Sequence, residues 1–232
     1  MATVLTPDTE HRETRPEGPR REELPCAEPC SVVLRGLDWQ RYTQLLELCD
    51  GQRLLRINYQ RGTAEMMLIS SRHERWKKVA ARVIETLCQV WQIELACAGS
   101  FTCRRESSES GLEPGECWYI QHEAAVRGKF DLDLERDPPP DLILEVETSR
   151  TIVDRLQLLA RLGVPEVWRF DGREFTALSL IAGEYQSIEH SLALPRLRVA
   201  DLNPWLSRFE QESESAVLRD LEVWALARPP AV

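Results

Sequence analysis

Apolar residues recur along the chain in two rhythms, and the rhythm changes mark the elements. A spacing of three and four predicts helices over residues 39–49, 72–91, 151–162, 201–209 and 214–226. In the second of these, Trp76, Val79, Val83, Leu87 and Val90 form one apolar stripe. Asp38 and Ser70-Ser71 stand where N-caps belong, Gly163 ends the 151–162 helix, and Pro204 sits near the first turn of the 201–209 helix. Alternation predicts strands over 53–59 and 63–69, joined at Arg61-Gly62, and over 175–180 and 184–188, joined at Ala182-Gly183. Further strands are expected at 93–102, 116–121 with a return through 124–126, 141–146 and 164–170. Residues 104–115, rich in Ser, Glu and Gly, read as a loop. The succession predicts an α/β fold with a mixed central sheet flanked by helices.

One strand carries a conflict. Three prolines, 138–140, stop whatever precedes it, and the run 141–146 is too short and too apolar for anything but a buried strand. Side chains alternate, so Asp141, Glu145 and Glu147 share one side while Leu142, Leu144 and Val146 share the other. Two carboxylates about 4 Å apart at an effective dielectric of about 20 repel by about 4 kcal/mol, so they would not both stay ionised unaided. A hard divalent cation with oxygen ligands removes the conflict. Exposure of Asp141 and Glu147 at the two wet ends of the strand removes it as well.

The strand Pro139-Pro140-Asp141-Leu142-Ile143-Leu144-Glu145-Val146, the block Gly163-Val164-Pro165-Glu166-Val167-Trp168-Arg169-Phe170-Asp171 and the earlier stretch from Leu112 to Gln121 occur in an order that resembles the Uma-two family of restriction-endonuclease-like proteins. The resemblance runs from about Leu34 to the C-terminal helices. It implies the PD-(D/E)xK nuclease fold, hydrolysis of phosphodiesters with magnesium or manganese, and DNA as substrate. On that basis Glu145 would hold the ion with Glu116 and Glu74 as further ligands, Glu147 would accept a proton from the attacking water, and Arg155 would supply positive charge. His73 matches a histidine the family often shows at the start of the first core helix, and Asp141 would give support. Glu166 and Trp168 read as packing and polar support.

Two departures weaken this set. The family's Pro-Asp is Pro114-Gly115 here, so the aspartate expected to bind metal is missing. Glu116 follows it, but neighbouring strand residues point to opposite faces, so Glu116 can substitute only if Gly115 permits a bulge that re-aims it. The superfamily's lysine is Glu147, which cannot offset charge on a phosphate. Beside the metal-dependent DNA endonuclease there stands, therefore, a catalytically degenerate binding or scaffold protein on the same fold.

Composition changes the picture little. The 232 residues suffice for one well-buried domain, expected over 31–232, and 43% hydrophobic residues is ordinary for a globular chain. Residues 1–30 carry five prolines amid Arg and Glu with little to bury and read as a disordered tail. No apolar run approaches the roughly 20 residues of a membrane span and no signal-peptide core opens the chain, so a cytoplasmic protein with reduced thiols is expected from the seven cysteines. Cys26 and Cys30 lack a second pair at zinc spacing, and Cys88 reads as core. A net charge of -9 runs against a nucleic-acid partner, leaving local clusters to serve: Arg72, Arg75, Lys77 and Lys78, then Arg104-Arg105, then Arg127 and Lys129. A homodimer would pair two sites across two DNA strands, but the sequence does not require one.

Overall fold

The computed structural model describes residues 31–52, 54–99, 101–146 and 151–228. In chain order the elements are β1 (Ser31–Arg35), α1 (Trp39–Leu48), β2 (Leu55–Gln60), β3 (Thr63–Leu68), α2 (Ser71–Trp91), β4 (Ala96–Gly99), β5 (Cys103–Arg105), β6 (Ser110–Leu112), β7 (Glu116–Tyr119), α3 (Glu123–Val126), β8 (Leu142–Val146), α4 (Arg155–Leu162), β9 (Glu166–Phe170), β10 (Phe175–Ile181), β11 (Glu184–Ile188), α5 (Asn203–Arg208) and α6 (Glu214–Leu226). Six strands form a mixed sheet in the order β11-β10-β9-β8-β7-β4, with β8 and β9 parallel and α4 crossing between them. A five-stranded antiparallel sheet, β1-β3-β2-β6-β5, lies beside it.

Local chemistry sets the helix ends. Asp38, Ser70, Asp154 and Ser213 each accept a backbone N–H three residues on, and Gly163 closes α4 at φ 81. Alternation on β8 then divides the core. Leu142, Leu144 and Val146 pack with the α2 stripe and with Val217 and Leu221 of α6, so the apolar face of α6 covers the core. Ile143 packs on the other side with Leu158, Leu159 and Leu162 of α4 and Val167 of β9. The mixed central sheet is thereby flanked by helices on both faces, as the patterning predicts.

Residues 31–35, to which the patterning assigns no element, add a strand, β1, to the edge of β3. Three local expectations are corrected. The stretch read as a loop at 104–115 contains β6, whose Ser110 and Leu112 are buried although their neighbours are polar, and β5 begins just ahead of it. The expected return strand at 124–126 is a helical turn, held by Arg127 N–H to Glu123 O and by the Arg127–Glu123 ion pair at 2.5 Å. The helix expected from 151 begins at Arg155, where Asp154 caps it by accepting the Gln157 N–H, and the N–H groups of Ile152 and Val153 ahead of it go to the buried Glu65 carboxylate at 2.9–3.1 Å. The tail expected at 1–30, with Cys26 and Cys30, lies outside the described residues.

Candidate functional site

The carboxyl end of β8 meets the polar face of β2. On β2, Ile57 and Tyr59 face α1 in a small apolar cluster, so Arg56, Asn58 and Gln60 point the other way by alternation. That face is covered, with Arg56 and Asn58 both buried. Glu145, whose side chain is 6% exposed, is gripped there by Arg155 at the first turn of α4. The guanidinium donates to Glu145 Oε1 at 2.7 Å and to Oε2 at 2.8 and 3.0 Å, a two-pronged arrangement of the strongest kind. Its remaining donors go to the Glu113 carbonyl at 2.9 Å and to Asn58 Oδ1.

The other predicted carboxylates lie across the sheet. Glu116 pairs with Leu144 in an unshifted antiparallel register, which places both side chains on the α2 face, opposite to Glu145. The re-aiming of Glu116 by a bulge at Gly115 is therefore not seen. Gly115 is fixed by a different demand: a Cβ there would meet the Leu144 carbonyl oxygen at 2.2 Å. Glu116 instead takes Lys78 at 2.7 Å and Lys77 at 3.9 Å. Lys77 also binds Glu74 at 2.7 Å, and Glu74 lies 3.6 Å from Arg56.

The charges around this end of the sheet thus form a chain of pairs, Arg56–Glu74–Lys77–Glu116–Lys78, and a separate pair, Arg155–Glu145, whose charge is felt at Arg56. Four cations, Arg56, Lys77, Lys78 and Arg155, face four carboxyl groups, Glu74, Glu113, Glu116 and Glu145. Burial lowers the Arg56 pKa from its ordinary value, with the charge of Glu145 opposing the drop. Burial, then the charge of Arg56, lowers His73 to about 4, so its imidazole is neutral at physiological pH. The hydrogen bond to Glu116 raises Lys78, and burial raises the carboxyl of Glu113.

Of the predicted residues, the structure joins Glu145 to Arg155, and Glu74 to Glu116 through Lys77, with His73 beside the Arg56–Glu74 pair. It does not bring Asp141 to them. Asp141 stands just ahead of β8, about 13 Å from Glu145 at strand rise. There it accepts the backbone N–H groups of Ile120 and His122 at 2.7 and 2.9 Å and holds His122 Nδ1 at 2.5 Å. Glu147 lies outside the described residues. Arg56, Asn58, Glu65 and the Glu113 carbonyl belong to the site without having been predicted. The signal was the polar face of β2, which reads as solvated unless something is known to cover it.

A hard divalent ion needs carboxylate oxygens that are free of other cations. Here Glu74, Glu116 and Glu145 are each engaged by Lys or Arg, and position 115 offers no side chain. Among the described residues no group of three or more His, Cys, Asp and Glu is placed to hold a metal. The described residues do not fit a divalent ion. What the arrangement can do is present buried guanidinium and ammonium groups to an anion.

Among the described residues, no helix is long and apolar enough to cross a membrane. The model of a protein family described as "Uma2: Putative restriction endonuclease" matches residues 39–212, which is 174 of the 232 residues. No curated protein matches the chain.

Proposed function

The chain belongs to the Uma2 family, described as putative restriction endonucleases, and from that premise we propose that it is a catalytically degenerate member: a binding or scaffold protein that keeps the nuclease framework without its metal-assisted hydrolysis. The observation that carries this reading is the two-pronged hold of Arg155 on Glu145 beside a glycine at 115. DNA is the partner the family suggests. Contact with a DNA backbone would be weak and strongly salt-dependent. Three of the basic side chains expected to track it are tied to acids on the surface: Arg75 to Glu214, Arg127 to Glu123, Lys129 to Asp137.

Supercoiled plasmid incubated with the protein and magnesium tests the reading, beside a Glu145→Ala control. The plasmid is expected to stay closed with both proteins, while a labelled oligonucleotide still binds in EDTA at low salt. Nicking by the wild type that Glu145→Ala abolishes would contradict it. That result would establish the second reading, a metal-dependent DNA endonuclease using Glu145, Glu147 and Arg155, with magnesium or manganese on Glu145, Glu116 and Glu74. The place of Glu145 supports this second reading, since ligand sites of open α/β sheets lie outside the carboxyl ends of parallel strands.

A further inference from the structure

The surroundings of Arg155 are all oxygen. Its guanidinium is enclosed by both carboxylate oxygens of Glu145, the backbone carbonyl of Glu113 at 2.9 Å and the side-chain oxygen of Asn58. A carboxylate, a carbonyl and an amide oxygen are the ligand types that hard divalent cations select. The backbone that carries these oxygens is set by other contacts. Glu145 is fixed on a buried strand, Asn58 is fully buried with its amide nitrogen 3.4 Å from Met67 Sδ, and Glu113 precedes β7. The segment leading into α4 is pinned separately by Glu65, through Ile152 and Val153.

We propose that the Arg155 guanidinium is a tethered substitute for a divalent cation, and that trimming it turns the Glu145–Asn58–Glu113 cage into a site for manganese or calcium. The inference rests on the reading of the natural site as closed to metal, and it deepens that reading by naming the group that closes it. Arg56 remains nearby and opposes a dication, as its electrostatic coupling to Glu145 and Arg155 indicates. The affinity created is therefore that of a weak oxygen site, with Kd on the order of 10⁻⁴–10⁻³ M.

The experiment compares full-length wild type, Arg155→Ala and Arg155→Ala/Glu145→Gln by thermal unfolding in EDTA and in millimolar manganese or calcium, with calorimetric titration of manganese alongside. Manganese at about ten times Kd is expected to raise the melting temperature of Arg155→Ala by roughly 3–5 °C. It should leave the wild type and the double variant unmoved. Should Arg155→Ala fail to fold in EDTA, Arg155→Gln carries the same comparison. A cooperatively melting Arg155 variant that takes up no manganese overturns the proposal while leaving the degenerate reading intact. Nicking of plasmid by the wild type strikes that reading instead.

Discussion

Two buried glutamates stand on the adjacent parallel strands β8 and β9, and their partners differ in kind. Glu145 is held by a cation on a neighbouring helix, Arg155. Glu166, at the opposite end of the strand pair, is held by donors that carry no charge: Trp168 Nε1 at 2.6 Å and the Ala193 N–H at 2.7 Å. Burial raises the carboxyl pKa of Glu166 despite these bonds. A carboxylate closed by neutral donors is part of the scaffold, as the sequence reading of Glu166 and Trp168 expects. A carboxylate closed by a guanidinium is closed by a side chain that can be exchanged, and its chemistry depends on whether that cation stays.

The largest expected effect removes one charge of the close pair. Glu145→Ala leaves the half-buried Arg155 without its partner and should destabilise the protein by about 3 kcal/mol in urea unfolding. Replacing both, as Glu145→Leu with Arg155→Leu, should restore most of that loss. A double variant as unstable as the single one would show that the pair is not the source. Next comes Gly115→Asp, which restores the family's aspartate against the Leu144 carbonyl. It should cost about 1–3 kcal/mol from the close approach and bring no manganese uptake in calorimetry. Uptake would mean that the missing aspartate alone, and not Arg155, closes the site.

The smallest effect falls on the neutral-donor side. Glu166→Gln keeps one accepting oxygen but turns an amide toward a second donor, so about 1–2 kcal/mol should be lost. The pH dependence gives the sharper contrast. Because the folded pKa of Glu166 is raised, the folded state binds the proton more tightly than the unfolded chain. Its contribution is then fully present below the unfolded value and is lost as pH rises through the folded one. Over the acid range the stability of wild type relative to Glu166→Gln should therefore fall with rising pH.

Much of this architecture was legible in the sequence, because the helix stripes, the caps at Asp38 and Ser70 and the two tight hairpins are local signals. The central strand was legible too: its alternation places Glu145 opposite Leu144, and Gly115 marks the missing ligand. What escaped was set by contacts distant in sequence. Arg56, Asn58 and Glu65 look like the wet face of a hairpin until β8 and the segment before α4 cover them. The segment before α4 gives its Ile152 and Val153 N–H groups to Glu65, nearly ninety residues upstream, and Ser110 and Leu112 make a strand only because β2 offers an edge.

Calorimetric titration of the full-length wild type with manganese, repeated on Glu145→Gln, is the most direct test of the claim that Arg155 holds the cation seat. Titrations that are indistinguishable and free of site-specific heat are predicted. Stoichiometric binding by the wild type that Glu145→Gln removes would show that an ion reaches the carboxylate in the presence of Arg155, and would contradict the account.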